Sequence, residues 1–572
     1  MTKHEVAHVL KEIGFFLFLK GENPYRAQAY ERAGTALLAS PLSLAELVSA
    51  GSLTDISGIG PATARVITDL VETGQSPVLH EARGSYPSSL MTLNEVPRLS
   101  RKHILKLYEQ AGITSVAELK TACHEGRLLT VPGIGPKVQA KLLEALGEYE
   151  RGQGYSLYAD VIDEAHDIEQ ALKKLTEGAS VSLSGSLRRK MEVVNEYVFV
   201  VACDAKHPVA RLTKHLRSIP NLTGITVRDE TITARSATGM PMRIVVTSSR
   251  QFGFVLLHTT GSAEHLDEVL HRFQEQGLQD WSAVQSQCAK ADETALYHAI
   301  GLPYIPPELR EGRGEVAWAS QGTLAPLVEP RHIQGVFHVH TDYSDGAGTV
   351  EEMVTAARRR GCRYLGISDH SQSAFYANGL KEPRIRAQWQ EIDQVQQRHR
   401  DIHIFKGIEA DILPDGSMDY PNEVLAQFDF VIASVHSRFN LTEADQTRRI
   451  CKALANPYVT MLGHPTGRLL LSRSGYRVNL DRVIAAAAQH HKVLEINGSR
   501  HRLDLDWRWV RVGKARRVQF CVNPDAHAVE EFGNVTWGAN VAQKAGLSKR
   551  DVLNTRSLKG IKSFFRQSRV QE

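Results

Sequence analysis

The 572-residue chain has few cysteines, no long apolar runs and almost no net charge. Its six cysteines (Cys123, Cys203, Cys288, Cys362, Cys451 and Cys521) lie far apart and form no CxxC pair. That argues against a disulfide framework or a cysteine-held zinc, and it suits a reducing compartment. Apolar stretches such as Val483–Ala488 fall far short of the roughly 18–20 residues a membrane span needs. The N-terminal segment is amphipathic and charged, without the layout of a secretion signal. Lys+Arg 68 against Asp+Glu 64 leaves only +4, so any contact with an acidic polymer must come from local patches. Secreted, membrane and fibrous classes are thereby disfavoured, and a cytoplasmic protein is expected. With 23% charged and 42% apolar residues, the composition is that of a folded chain. At about 100–200 residues per domain, three or four domains are expected. Histidine, by contrast, is plentiful: there are 24, many toward the C-terminus.

Residues 1–150 read as helices punctuated by Gly and Pro. The segment LVSAGSLTDISGIGPATARVITDLVETG is helix, tight glycine loop, helix, and the pattern returns about 75 residues on in LLTVPGIGPKVQAKLLEAL. A weaker copy, LNEVPRLSRKHILKLYEQAGI, sits between them. From about 155 to 250, short β-branched runs (VSLSGSL, EYVFVVACD, TITAR, MRIVVTS) suggest a small mixed sheet, and residues 263–310 read as helical. Residues 316–334 are low in charge and dotted with Gly and Pro, the signature of a linker. Beyond Gly335, seven or so strand-like runs alternate with helical stretches, which predicts a parallel, barrel-like α/β domain. In such barrels the chemistry sits at the C-terminal ends of the strands.

That is where the unusual residues fall. HVHTDYSDG places His338 and His340 two apart, on one face of a strand, with Asp345 in the turn that follows. His370, Glu409, His436 and His464 each end a further strand, and Asp525 and His527 close VNPDAH. Mixed imidazole and carboxylate sets suit Zn²⁺, Mn²⁺ or Fe²⁺ better than Ca²⁺ or Mg²⁺. Single histidines at strand ends commonly cap turns, but nine imidazoles and carboxylates in register with successive strands read as a metal centre. The glycine loops Gly58-Ile-Gly60 and Gly133-Ile-Gly135 would let a backbone approach a phosphate, with the next helix's N–H groups binding it irrespective of base. The middle copy has Pro97-Arg98-Leu99-Ser100 in place of glycines, so it is expected to pack, not bind.

The nine residues resemble the motifs of the PHP (polymerase and histidinol phosphatase) domain. The resemblance implies a distorted (β/α) barrel over 335–572 with three divalent metals. The first would take His338, His340, Glu409 and Asp525. Glu409 would bridge to a second, held by His436 and His464, and Asp345, His370 and His527 would hold the third. Glu409, His436 and Asp525 would then carry the catalytic step, with Arg468 in GHPTGR a candidate phosphate clamp. Where the family usually has Asp two before the first His, this chain has Val336.

Together with ENPYRAQAYERAG, GSLRR, HTTGS and GLPYIPPELRE, the helical modules resemble helix-hairpin-helix elements of a family X DNA polymerase of the bacterial type. The resemblance implies a small N-terminal helical domain (1–80), helical fingers (81–150), a nucleotidyltransferase-like palm (151–250), a thumb (251–315), a linker (316–334) and the PHP domain (335–572). The family's palm holds two metals on three carboxylates. Here Glu196 and Val198 occupy the Asp-x-Asp pair and Pro241 the third position, so the two-metal site is expected to be lost. Ser186 and Arg189, the family's triphosphate contacts, remain, which leaves weak nucleotide binding. The region GIGPATARVI carries no lysine, so a Schiff-base lyase is not supported. The expectation is a monomeric, nucleoid-associated DNA-repair enzyme that holds gapped, recessed or nicked duplex through Gly58, Gly60, Gly133 and Gly135. It would act as a metal-dependent 3′→5′ exonuclease or 3′-end phosphoesterase, with abasic-site incision a further activity. The alternatives are an active bifunctional polymerase and exonuclease, a small-molecule phosphatase, and a non-catalytic DNA-binding scaffold.

Overall fold

The computed structural model describes residues 1–572 except 2, 41, 85, 177, 205–207, 218, 220–221 and 569–572. The first 152 residues are helical, as the spacing of apolar residues requires. Leu10, Ile13, Phe16 and Leu17 of the first helix (Lys3–Leu19) pack with Ala27, Ala33 and Leu37 of the second (Pro24–Ala39). A mixed sheet follows, with strands β1 (Val181–Ser184), β2 (Tyr197–Ala202), β3 (Thr223–Arg228), β4 (Thr231–Arg235) and β5 (Pro241–Thr247). Their order is β1-β2-β5-β4-β3, with β2 and β5 parallel and the other pairs antiparallel. Helices Ala263–Glu275, Trp281–Gln287 and Glu293–Ala299 form the next layer.

The segment expected as a linker, 316–334, packs at both ends, through Val316 and Ala319 on one side and Val328 on the other. Glu315–Ser320 is a helix whose fully buried Glu315 pairs with the buried His265 at 2.8 Å. Farther on, Val328 donates its N–H to the Leu547 carbonyl (2.8 Å) and sits in the C-terminal core. The Gly and Pro residues between these anchors set turns, not slack.

The C-terminal sheet has seven parallel strands: β6 (Gly335–Val336), β7 (Tyr364–Ile367), β8 (His403–Asp411), β9 (Phe430–Ser434), β10 (Met461–Leu462), β11 (Val493–Asn497) and β12 (Phe520–Asn523). They pair in sequence order, and a parallel bridge between Val339 and Ala526 brings the first and last together, so the barrel is nearly closed. Its interior is layered by the two-residue period of the strands. Phe405 of β8 and Phe430 of β9 join Phe337, Tyr364 and Phe565 in an aromatic plug at one end. One step up, Gly366 and Gly407 leave room for the plug, since a Cβ at Gly407 would lie 2.1 Å from the Phe430 ring. The next inward positions are Glu409 and Glu495, and then Asp411, His436 and Asn497. These five polar or charged groups sit above an apolar floor they cannot hydrogen-bond to, so their partners must come from one another or from a bound group.

The two halves of the molecule are locked together. Lys544 of the barrel is 1% exposed in its side chain, and its ammonium contacts Glu311 Oε1 (2.6 Å) and the Arg189 carbonyl (2.9 Å). Arg508 reaches Glu192 (3.0 Å), Arg500 reaches Asp160 (3.0 Å) and Glu148 accepts the Ser474 N–H (3.1 Å). Trp537 packs edge-on against Tyr158. Among the described residues, no helix is long and apolar enough to cross a membrane.

Candidate metal centre and polymerase-like half

The short first strand bends at Phe337, which shifts the inward phase by one residue. Phe337 thus belongs to the plug while His338 and His340 both face the polar end. All nine residues singled out from the sequence converge there. Glu409, fully buried, is the hub: His338 (3.3 Å), His340 (3.7 Å), His370 (2.8 Å), His436 (3.2 Å) and His464 (2.9 Å) all face its carboxylate. Asp525 lies 3.3 Å from His338 and 3.4 Å from His340, and Asp345 stands 3.6 Å from His370 and 3.5 Å from His527. Backbone strain accompanies this convergence, since His464 and Asp525 adopt φ of 22° and 52°.

The donor set fits divalent cations on three counts. First, four groups of ligand atoms lie close enough to share an ion: His340, Asp345, His370 and His527; His338, His464 and Asp525; His338, His340 and Glu409; and His370, Glu409 and His436. Donors about 2.0–2.1 Å from a tetrahedral ion stand about 3.3–3.4 Å apart, the spacing seen between His338, His340 and Asp525. Second, His338 Nε2 and both ring nitrogens of His340 are buried without a hydrogen-bond partner, which would cost about 1–3 kcal/mol per group were no cation to engage them. Third, the charge is unbalanced. Burial alone would depress the His436 imidazole, but Glu409 and Asp411 beside it push its pKa up to about 10. His340, by contrast, is held well below the usual range by burial and by His527 and His370. The cluster is closed on the barrel side and opens past Asp345 and His527, whose side chains are 34% and 35% exposed.

Sequence reasoning missed the groups that aim these ligands. Glu495, fully buried, lies 2.7 Å from His338 Nδ1 and accepts the His464 N–H (2.7 Å). Asp411 holds His436 Nδ1 at 2.6 Å. Such partners set the tautomer and leave the other nitrogen for the metal. Both sit in the inward phase of their strands, so the alternation that marks Glu409 marks them too. Arg468 departs from its expected role. Its guanidinium is taken up by Asp506 (2.6 Å) and the carbonyls of Arg502 (2.9 Å) and Leu503, in the cleft between the two halves. The arginine beside the cluster is Arg502, 3.4 Å from Asp525.

In the N-terminal half, the two glycine loops have the same build. Gly58 and Gly133 take φ of 95° and 85°, Ile59 and Ile134 plug the core, and Gly60 and Gly135 precede helices Pro61–Thr73 and Pro136–Gly152. Neither helix start has a side-chain cap, and both glycines are exposed, so free N–H groups face solvent. The middle copy keeps the turn but not the open end. Arg98 takes the left-handed position (φ 63°) and pairs with Glu148, while Ser100 caps the helix by accepting the His103 N–H (3.3 Å).

Comparison with known proteins follows this anatomy. Residues 1–76 match a helix-hairpin-helix domain, 90–148 a SAM-like helix-hairpin-helix tandem and 337–499 the PHP domain. The DNA polymerase/3′-5′ exonuclease PolX of Bacillus subtilis (strain 168) is 34% identical over 99% of this chain and 100% of its own length. The chain belongs to the PolX type of the DNA polymerase X family. Its barrel also resembles free-standing proteins. Probable phosphatases of Caldanaerobacter subterraneus subsp. tengcongensis and Thermoanaerobacter sp. (strain X514) are each 28% identical, over 41% and 38% of this chain and 91% and 89% of their own.

The mixed sheet β1–β5 carries the positions at which the family X resemblance expects the palm's metal ligands. Glu196, just before β2, is ion-paired with Arg243 (2.9 Å). Val198, in register with Arg243, is 1% exposed, and its methyl fills the space beside Gly185. Pro241 opens β5 with no side-chain oxygen to offer. Asp204 lies past the far end of β2 and accepts the Ser249 N–H (2.9 Å). Ser186 sits on the short helix Gly185–Arg188, but neighbouring Arg189 is committed to Glu311 (2.9 Å) and the Thr260 carbonyl (2.7 Å).

Proposed function

We propose that this family X chain works chiefly as a metal-dependent phosphodiesterase that trims DNA from its 3′ ends, with the polymerase-like half as a DNA platform. The observation that carries the reading is the contrast between the two sites: nine converged donors in the barrel, against one ion-paired glutamate in the palm. The nine donors would hold divalent cations, three of them as the family pattern implies, and Glu409 would be among the ligands. Bound there, they would supply an acidified water and neutralise charge developing on the phosphate. The chain's own residues orient the ligands through Glu495 and Asp411, exclude solvent from the barrel side, and leave an opening at Asp345 and His527 for the strand end. Phosphates of the duplex are expected at the bare helix starts after Gly60 and Gly135, which contact backbone without reading bases. DNA is the partner assigned to a cytoplasmic, nucleoid-associated monomer.

A second reading has specific support. The Bacillus subtilis relative's name couples polymerase with exonuclease, so a bifunctional enzyme is the competitor. Against it, Val198 and Pro241 cannot coordinate a cation, and magnesium-dependent phosphoryl transfer needs oxygen ligands. A labelled primer on a gapped template, incubated with Mn²⁺ with and without dNTPs, separates the two. Shortening that is lost in His338→Ala/His340→Ala and no templated extension is the expected result. Extension abolished by Glu196→Ala would establish the bifunctional enzyme.

A further inference from the structure

The turn that follows His370 carries two aromatic rings into solvent beside the metal centre. Phe375 is 85% exposed, more than any other large apolar side chain among the described residues, and Tyr376 is 72% exposed. Leaving such rings in water forfeits about 1.5–3 kcal/mol of burial each, and a floppy loop would fold them down. This turn cannot relax in that way, because it is fastened from beneath. The Leu380 N–H bonds the His370 carbonyl (2.8 Å), the Gly379 N–H bonds Ala374 (3.1 Å), and Asp419 accepts from Ser371 Oγ (2.6 Å) and the Ser373 N–H (3.0 Å). A Cβ at Gly379 would lie 1.9 Å from the Ser371 carbonyl, so the backbone closes tightly on itself. The pinned tip puts the Tyr376 ring 6.2 Å from that of His370 and 6.5 Å from that of His436. The Tyr376 ring therefore stands next to two of the proposed ligands, with Phe375 preceding it in the same turn.

We propose that Phe375 and Tyr376 are a stacking platform for the unpaired terminal base of the strand being trimmed. The inference rests on the exonuclease reading and adds to it a preference for ends whose last base can leave the helix. Exposed aromatic faces bind bases of any identity by stacking, which matches a nuclease that must accept every sequence. Rigid presentation means that little ordering cost is incurred when the base arrives. Seated there, the terminal nucleoside would hold its own 5′ phosphodiester toward the His370 and His436 side of the cluster. The two aromatics are positioning residues, since the chemistry falls to the metal site.

The test uses the full chain and a 3′-recessed duplex with two ends compared: one with a normal terminal nucleoside, one whose last sugar lacks a base. The Phe375→Ala/Tyr376→Ala variant should lose about ten-fold in kcat/KM on the normal end and under about two-fold on the baseless end. Phe375→Trp/Tyr376→Trp should retain parental activity on both. Independently of turnover, chelator-treated parental protein should quench a terminal 2-aminopurine, and the double-alanine variant should not. Equal kcat/KM for parental and double-alanine protein on the normal end would overturn the platform. Failure of the exonuclease reading looks different: the parental chain itself would shorten neither substrate. The 2-aminopurine signal alone would then decide, its loss in the alanine variant supporting the platform and its absence from parental protein refuting it.

Discussion

Glu495→Gln is the sharpest perturbation of the proposed metal centre that leaves every proposed ligand in place. In the parental chain, Oε1 faces His338 Nδ1 (2.7 Å) and Asn523 Nδ2 (3.0 Å), while Oε2 faces the His464 N–H (2.7 Å) and Asn497 Nδ2 (3.2 Å). A carboxylate can accept all four; an amide has only one oxygen. Whichever way the glutamine turns, its NH₂ meets two groups that also donate. The asparagines cannot flip to help, because Asn523 Oδ1 accepts the Phe337 N–H (3.0 Å) and Asn497 Oδ1 the Ser499 N–H (3.0 Å). His338 can escape by moving its proton to Nε2, but that blocks the nitrogen proposed to hold the metal. The variant therefore trades metal affinity against two unsatisfied buried donors. The second cost is on the order of 2–6 kcal/mol, at about 1–3 kcal/mol each. Loss of an orienting partner lowers metal affinity by about 10–100-fold. Calorimetric titration with Mn²⁺, with metal content measured after dialysis, reads this directly. Asp411→Asn should act in the same direction through His436. A Glu495→Gln protein that holds parental metal with unchanged Kd would refute the assignment of Glu495 as the group that sets the His338 tautomer.

Further outcomes follow from other parts of the structure. His338→Ala/His340→Ala should reduce Mn²⁺-dependent shortening of 3′ ends by orders of magnitude with an unchanged far-ultraviolet spectrum, since the aromatic plug and outer core are untouched; parental rates in this variant would invalidate the site. Gly60→Val and Gly135→Val place a side chain in open space at extended backbone (φ −89° and −86°), so folding should be unaffected while duplex affinity falls by about ten-fold or more, read by fluorescence anisotropy. Asp419 is raised by burial, and by Asp411 nearby, from 3.8 to about 6 despite hydrogen bonds from Ser371 and Ser373. Its folded form keeps the proton longer than its unfolded form, so it lowers stability as pH rises from about 4 to 6 and leaves a constant penalty above. Asp419→Asn should therefore gain stability relative to the parent across that window, by up to about 3 kcal/mol at roughly 1.4 kcal/mol per pKa unit. Urea midpoints at pH 4.5 and 7.5 check the sign; a parental difference that stays constant would refute it.

What the sequence disclosed, and what it withheld, follows the range of the interactions involved. The barrel and the convergence of nine donors were legible because strand alternation and strand-end position are local properties, repeated seven times. The bend at Phe337 was not, since it takes the closing bridge from Val339 to Ala526 to impose it. Glu495 and Asp411 were readable in principle: VLEING and KGIEADI show them in phase with their neighbours, yet a carboxylate inside a strand does not announce which imidazole it will meet. Arg468 misled for the converse reason. GHPTGR looks like an anion loop, but the carbonyls that occupy its guanidinium come from a segment more than thirty residues away, and Arg502 stands at the cluster instead. Low charge with Gly and Pro signals a break in regular structure; it carries no information on whether the broken segment is packed, and Val328 shows that it is.

Lys544 makes the barrel a poor candidate for separate life. Its ammonium is buried against Glu311 and the Arg189 carbonyl, groups that belong to the other half. Cut at residue 335, the barrel would present that lysine to water without Glu311, Trp537 without Tyr158, and Arg508 without Glu192 though still beside Asp506. An excised fragment would thus be sticky and mispaired, and its behaviour would report on the wound as much as on the chemistry. Any descendant that shed the polymerase-like half would first have to repaint this face with polar residues, so the loss of a single gene segment becomes a many-step path.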